Sequence, residues 1–589
     1  MSGGSAAELR RAQDEPDRAK YLATMLSTSF GPCGARKLCV AHGGASAITN
    51  EGLEVLQAAI GHLGERGGDK LASYPTALVR DTCNKHVQTF GDGSIHVGLL
   101  ALTGIASFQR LGNQSNEDRR RLLQMVQDYG KVADAIDGIL DDCVSACAET
   151  VPLESPERVG ILVSKLALSK LSCKCSPGNS RRLCGLVSGL LDLEKEGGGC
   201  HHAGAAVWCA ERFLTLLDFY CDFDPILAVP DALLSQSRVL QGVCANVSAV
   251  GSLLLARRDP ERPSRLVAAK CSLDDFSLAS AEASIAVGSG DEYCEVTGNF
   301  EALCRGRLRA LREGCGIDAV VSTKAFGAKL QGFARELGME LFFCPEEDQV
   351  DRICSALGIL PMQDFAAGGA LSSARAKLAL ITKSGAVVLN ARACESAESG
   401  PGHEACRTVL LCSPNPTTCE QYRRLLRQSI KLVRAAVERV EGRAAGTSAI
   451  VRVVPGACAV EKRLLRAIDA TLRGDSPAPM EDSIRLGLET ARVMAKEPMA
   501  ALAGSMAGTS AREGRREVLQ SLLDPSDAVL CLDLFAEDCS QGFSKRVTDP
   551  GELGVLAPAR AYHQAYRSAL QVVHQVLRLM PLTPGSLGG

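Results

Sequence analysis

The chain of 589 residues is short of aromatic side chains, which make up 4% of it with a single Trp, and short of net charge, since 65 Lys and Arg stand against 68 Asp and Glu to leave −3. So even a balance gives no global basic field to hold nucleic acid or an anionic membrane; any such partner needs a local patch. No run of about 18 apolar residues occurs, and the N-terminus reads MSGGSAAELRRAQDEPDRAK, charged where a signal core is apolar. A soluble, non-secreted protein without membrane insertion is expected. No repeat period is visible either, which argues against solenoids and propellers. Hydrophobic residues nevertheless reach 46% and charged residues 23%, the profile of a globular chain with an aliphatic interior. At roughly 150 residues per domain, the length predicts about four domains and more than one core. The 25 Cys are scattered through apolar stretches such as LCV, DTC and VWCAE, and read as mostly buried thiols in a reducing compartment.

Flexible punctuation falls at 194–206, 256–265, 364–376, 395–404 and 473–482. Between these, apolar periodicity predicts helices at 17–30, 53–63, 71–90, 95–108 and 116–149, and again at 417–442, 457–472, 483–498 and 557–580. The middle alternates short strands (239–243, 265–273, 283–288, 319–324, 341–344) with helices at 296–314, 325–337 and 347–358. The layout is α at both flanks and α/β between, as if the two ends fold together around an insert.

Three short segments carry chemistry. Ser29-Phe30-Gly31-Pro32-Cys33-Gly34 follows a helix and reads by itself as a plain turn. Ile48-Thr49-Asn50-Glu51-Gly52 reads as a strand end, a turn and a helix start. Gly91-Asp92-Gly93-Ser94 opens a helix, so bare backbone N–H groups, a helix N-terminus and one carboxylate meet at a point. That combination suits a phosphate group with a divalent cation, although one such segment is equally an ordinary N-cap.

In this order the segments resemble the group II chaperonin superfamily, which carries Leu-Gly-Pro-Lys-Gly, Ile-Thr-Asn-Asp-Gly and Gly-Asp-Gly-Thr-Thr in its equatorial domain. Further pieces fit the same order. Tyr74-Pro75-Thr76-Ala77 stands where the family has His-Pro-Ala, the 263–273 segment is similar to an apical strand, and 316–321 and 353–358 resemble later apical segments. Val454-Pro455-Gly456-Ala457-Cys458-Ala459-Val460-Glu461 is similar to VPGGGAxE, and the 557–580 helix resembles the family's last helix.

The resemblance implies a multidomain α and α/β subunit. Its equatorial domain would be built from 1–150 and 409–589, its intermediate domain from 151–235 and 369–408, and its apical domain from 236–368. It also implies a site for ATP with Mg: Gly31, Pro32, Gly34, Asp92, Gly93, Ser94 and Gly456 around the nucleotide, with Asp92 toward the metal. The departures point the other way. Cys33 replaces the loop Lys, Glu51 the Asp, Ile95 the second Thr, and Ala457 and Cys458 two glycines. The position of the family's catalytic Asp holds Gln428, and an amide cannot act as a general base. No catalytic residue is therefore assigned, and a degenerate ATPase is expected.

This pattern of loss is most similar to the chaperonin-like McKusick–Kaufman/Bardet–Biedl group. Membership there implies protein folding and BBSome assembly for ciliary trafficking, alongside other chaperonin-like subunits and the cytosolic chaperonin. It implies a location in the cytoplasm, at the centrosome and at the ciliary basal body. An active ATP-dependent chaperonin subunit folding cytosolic proteins is the alternative. Two further readings concern single regions. Cys173, Cys175, Cys184, Cys200, His201 and His202 are soft ligands at close spacing that fit no standard zinc site. Room for a helical lid exists only at Leu240–Arg262 and Ser280–Thr297, so a lid is expected to be short or absent, and the apical region is expected to contact protein and not nucleic acid.

Overall fold

The computed structural model describes residues 15–31, 34–40, 46–64, 74–112, 115–191, 193, 210–249, 262–273, 288–363, 371–383, 386–394, 406–441, 447–456, 458–474, 480–506, 531–532, 547–548 and 555–579. Pro32, Cys33, Ala457, Cys200, His201 and His202 lie outside these, as do the predicted strand over 283–287 and residues 250–261 and 280–287 of the two stretches with room for a lid. The chain divides into two compact units, Met1–Val187 with Leu425–Gly589, and Ser188–Arg424.

In chain order the helices begin with α1 (Glu15–Ser27), α2 (Gly52–Gly64), α3 (Tyr74–Phe90), α4 (Ser94–Gly112), α5 (Asn116–Gln127), α6 (Tyr129–Cys147), α7 (Pro156–Ser172) and α8 (Pro177–Leu190). The middle of the chain adds α9 (Ala210–Asp222), α10 (Gly290–Arg309), α11 (Ala328–Glu336) and α12 (Glu347–Leu357). The last part supplies α13 (Pro416–Ala436), α14 (Ala459–Arg473), α15 (Asp482–Met506) and α16 (Ala559–Leu579).

The first unit is a helical body whose core draws on both ends of the chain. Leu22 and Leu26 of α1, Leu99, Leu100 and Leu102 of α4, and Ile136 and Leu140 of α6 are buried with Leu464 and Ile468 of α14, Met494 of α15, and Tyr566 and Val573 of α16. The helices approach closely where α4 offers glycine. A Cβ on Gly98 would lie 2.7 Å from Leu26 Cδ1, and one on Gly104 would lie 2.7 Å from Val573 Cγ2. Small strands complete this unit. The hairpin β1 (Lys37–Val40) and β2 (Ser46–Thr49) is antiparallel, β16 (Cys531–Leu532) pairs antiparallel with β17 (Val547–Thr548), and β15 (Thr447–Pro455) pairs with β14 (Val437–Glu441), β3 (Glu149–Pro152) and β18 (Leu556–Pro558).

The second unit contains β6 (Val243–Asn246), β7 (Ser248–Ala249), β8 (Pro263–Ala269), β9 (Ala319–Ser322), β10 (Glu340–Phe343), β11 (Ala374–Lys383) and β12 (Ala386–Ala393), which form a seven-stranded mixed sheet in the order β6-β12-β11-β8-β9-β10-β7 with β8, β9 and β10 parallel. Fully buried Val267, Val320 and Val321 suit a parallel centre covered by helices. A three-stranded sheet orders β4 (Ile226–Val229), β13 (Arg407–Cys412) and β5 (Arg238–Gln241). Buried Arg352 of α12 donates to the carbonyls of Asp224 and Cys244, so one guanidinium ties the chain entering β4 to β6 (Val243–Asn246).

Three expectations are corrected by local chemistry. The helix expected over 116–149 is two, parted at Asp128, whose backbone at φ −87 and ψ 14 departs from helical geometry. The helix expected over 417–442 stops at Ala436, because Val437–Glu441 is taken into the ladder of β15. Gly242, at φ +92, splits the strand expected at 239–243 into β5 and β6. Thus the flanks are not purely helical: β1, β2, β3, β14, β15 and β18 belong to the first unit.

Candidate functional site

The three chemistry-bearing segments and the 454–461 stretch are linked, directly or through intervening residues, to the C-terminal end of α7. The first is the turn after α1, where Gly34 N–H donates to Gly31 O at 3.1 Å and Ala35 N–H to Thr28 O at 2.7 Å. Gly31 sits at φ +83, and a Cβ on Gly34 would fall 2.3 Å from Ser29 O, so the closed loop admits only glycine there. The second segment ends β2 and starts α2: Glu51 N–H is capped by Thr49 Oγ1 at 2.9 Å. Gly52 then lies against the third segment, since its Cβ would meet Ile95 Cγ1 at 2.2 Å.

The third segment joins α3 to α4 through Gly91 at φ +80 and Gly93 at φ +91, which place Asp92 ahead of the α4 N-terminus. Val97 N–H closes the first turn on Gly93 O at 2.9 Å. A Cβ on Gly91 would fall 2.2 Å from the carbonyl oxygen of Gln428, so α13 is in backbone contact with the residue before Asp92. Lys431 Nζ, one helical turn on, donates to Gln88 O at 2.9 Å. Gln428 is thereby brought beside Asp92, and its Oε1 is buried without a hydrogen-bond partner among the described residues.

The fourth segment is joined to the others indirectly. Gly456 N–H donates to Val555 O at 2.8 Å, and Leu556 N–H donates to Ser169 Oγ at 2.9 Å, next to Lys170. Beyond the turn, Cys458 takes φ +69, a conformation suited to the glycine it replaces in the resemblance. Glu461 in the first turn of α14 reaches Nε2 of His96 in α4 at 2.9 Å, both side chains being almost fully buried.

What occupies the centre is a pair of lysines that the sequence reading did not single out. Lys170 Nζ lies 2.7 Å from Asp92 Oδ1 and 3.6 Å from Glu51 Oε1, with only 3% of its side chain exposed. Lys174 Nζ lies 3.5 Å from Glu51 Oε1 and donates to Asn50 O at 2.9 Å and Asn50 Oδ1 at 3.1 Å. Arg36, just past the first segment, donates to Lys174 O at 3.3 Å. Burial works against both carboxylates, but the Lys170 ammonium outweighs it, assisted at Glu51 by Lys174, and holds each below its usual range. Burial likewise opposes the charge on Lys170, while Asp92 and Glu51 raise its pKa above the ordinary lysine value. Lys174, with the weaker carboxylate environment, is lowered by burial and by Lys170.

The residues fit a nucleotide with its metal in part. Asp92, half exposed, stands at a helix N-terminus with glycines on both sides, and Glu51 Oε1 is a buried oxygen without a hydrogen bond, in ion-pair range of two lysines. Against this, Asp92 already holds a buried cation. Asp92, Gly93 and Ser94 adjoin Glu51 and Gly52, whereas Gly31 and Gly34 are linked to them indirectly, through Arg36 and Lys174, and Gly456 through Val555, Leu556 and Ser169. Among the described residues no group of three or more His, Cys, Asp or Glu is placed to hold a metal ion. Of the close-spaced cysteines, the Sγ of Cys173 lies against Ser169 O at 3.5 Å and that of Cys184 against Ser164 O at 3.4 Å.

With this geometry the comparison with known families is direct. The TCP-1/cpn60 chaperonin family matches residues 218–580, well over half of the chain, and the chain belongs to that family. A search of the curated proteins finds no match to it. The family match begins beyond Asp92, so the segments at 29–34 and 91–94 rest on their own geometry and motif order. No helix among the described residues is long and apolar enough to cross a membrane.

Proposed function

We propose that this chaperonin-family chain is an assembly subunit of the chaperonin-like McKusick–Kaufman/Bardet–Biedl kind. It works by holding partner proteins: other chaperonin-like subunits, the cytosolic chaperonin, and BBSome subunits as clients, in the cytoplasm and at the ciliary basal body. Nucleotide binding is weak and hydrolysis is degraded. The observation that carries this reading is the Lys170–Asp92 pair at 2.7 Å. A bound ATP with its Mg would supply an electrophilic phosphoryl group and a divalent charge beside Asp92. Asp92 would share its charge between that metal and Lys170, whose Nζ already holds Oδ1, and the buried ammonium has only Glu51 at 3.6 Å as its other carboxylate, so the pull of Asp92 on a metal is weakened. Gln428, whose backbone contacts Gly91, has no basic atom to take a proton from water.

The alternative, an active ATP-driven subunit, is favoured by Gln428 Oε1, buried without a hydrogen-bond partner among the described residues, on a helix that meets the Gly91 turn. Equilibrium binding and single-turnover hydrolysis of ATP with Mg, on the same full-length protein, separate the two. Weak binding, turnover about 10²–10⁴-fold below a chaperonin with its Asp, gain of turnover in Gln428→Asp, and loss of binding in Asp92→Ala are expected. Hydrolysis by the wild type at the rate of an ordinary chaperonin subunit would put the active-subunit reading in its place.

A further inference from the structure

The first unit contains a polar cleft, of about 550 Å³, none of whose lining residues belongs to the Asp92 cluster. It opens between α6, the end of α13, the β14–β15 hairpin and the start of α16. Four arginines line it, Arg434, Arg439, Arg452 and Arg560, with His563. Only two carboxylates do so, and each faces a partner within the cleft: Asp141 Oδ1 lies 3.0 Å from His563 Nε2, and Glu438 Oε2 lies 3.7 Å from Arg452. His563 is also 4.0 Å from Asp137, which pairs with Arg567 at 2.7 Å. Four guanidinium groups against two carboxylates leave the lining net positive. Arg560 is exposed and has no ion-pair partner among the described residues.

A second feature points the same way. Ala559 and Arg560 are the first two residues of the 21-residue α16, so the N-terminal end of a long helix forms part of the wall. Its first turn contains no acidic residue, so the partial positive charge of that end is not met by a carboxylate of its own turn. The scaffold is fixed. Arg452 Nη2 donates to Ser145 Oγ at 2.9 Å, Arg434 Nη1 donates to Val437 O at 3.4 Å, and β14 is locked to β15 in register from Val437↔Val451 to Glu441↔Thr447.

We infer that this cleft is a binding site for a compact anion bearing two or more phosphoryl groups. The guanidinium fork matches phosphate oxygens in pairs, which a lone ammonium does not. The volume lies within the few hundred Å³ typical of small-molecule sites. Neither the cleft nor the proposal depends on whether Asp92 takes nucleotide.

The probe is inorganic tripolyphosphate, titrated calorimetrically into the full-length protein at low and at moderate salt. Binding is expected that weakens as salt rises, because the contacts are ionic. Arg560→Glu, at an exposed position, is expected to weaken it about tenfold, equivalent to about 1.4 kcal/mol, and Arg560→Gln less. Lys170→Met is expected to leave the affinity unchanged. A wild type that binds no tripolyphosphate overturns the proposal. So does binding that survives Arg560→Glu and the Arg439→Glu/Arg560→Glu double variant but is lost in Lys170→Met, since the anion would then sit at the Asp92 cluster.

Discussion

At the scale of single residues, the centre of the candidate site is decided by where two lysines find their counter-charge. Asp92→Asn leaves the Lys170 ammonium buried with Glu51 alone at 3.6 Å, and is expected to destabilise the protein by about 2–3 kcal/mol, less than for a wholly buried pair because Asp92 is half exposed. Adding Lys170→Met removes the stranded charge and is expected to recover most of that loss. Urea unfolding of both variants checks it, and a double variant as unstable as the sum of its singles would show that the two side chains do not interact. His86 offers a separate test by pH. It is buried at the end of α3 against Gly93, and burial, with His96 nearby, pushes its pKa down to about 4 from the ordinary 6.5. Between those values the unfolded chain holds the extra proton, so stability is full above pH about 6.5 and falls as pH drops toward 4, by at most about 3 kcal/mol from this residue. His86→Gln is expected to flatten that part of the pH profile measured by chemical unfolding. Asp92, its flanking glycines and Gln428 were legible in the sequence because the motif order placed them. Lys170 and Lys174 were not, since an ion pair across the fold leaves no periodic trace in a helix that otherwise reads as apolar.

At the scale of elements, the junctions between helices carry more constraint than the helices. Gly91 ends α3 at φ +80 with α13 backbone 2.2 Å from where a Cβ would be, so Gly91→Ala meets both a left-handed strain and an immovable carbonyl. A loss of about 2–4 kcal/mol is expected, with the midpoint of thermal or urea unfolding as the measurement. A melting point equal to wild type would mean that α13 does not pack on this turn, and would remove Gln428 from the site. At the N-terminus of α10 the constraint is smaller: Ser289 Oγ accepts from Glu292 N–H at 3.2 Å while Glu292 Oε2 accepts from Gly288 N–H at 2.7 Å. Ser289→Ala is expected to cost about 1 kcal/mol. Periodicity located most helices because amphipathic spacing is a property of contiguous residues. It ran through Asp128 and past Ala436 because what ends α5 is a single backbone departure at Asp128, which leaves no trace in apolar spacing, and what ends α13 is strand pairing with β15.

At the scale of the whole chain, the question is whether residues near the two ends share one core, as the burial of Leu22, Leu100, Leu464 and Tyr566 in one cluster states. The contact between α4 and α16 gives the sharpest handle on it. Gly104 is interior to α4, where replacement by Ala ought to stabilise an isolated helix by about 1 kcal/mol. Here the added Cβ falls 2.7 Å from Val573 Cγ2 and 3.1 Å from Met494 Sδ, so Gly104→Ala is expected to destabilise, the overpacking of about 1–3 kcal/mol exceeding the propensity gain. Val573→Ala, alone, opens a cavity and costs about 1–3 kcal/mol. Together the two changes add one methyl on α4 and remove two on α16, among them the Cγ2 the new Cβ would strike, so the double variant is expected to be more stable than the sum of the singles by about 1 kcal/mol or more. Strict additivity in urea unfolding would mean that α4 and α16 do not meet. The helix carrying Asp92 at its start and the last helix of the chain would then belong to separate bodies, and neither the candidate site nor the arginine-lined cleft beside α16 would have the common scaffold that positions its residues.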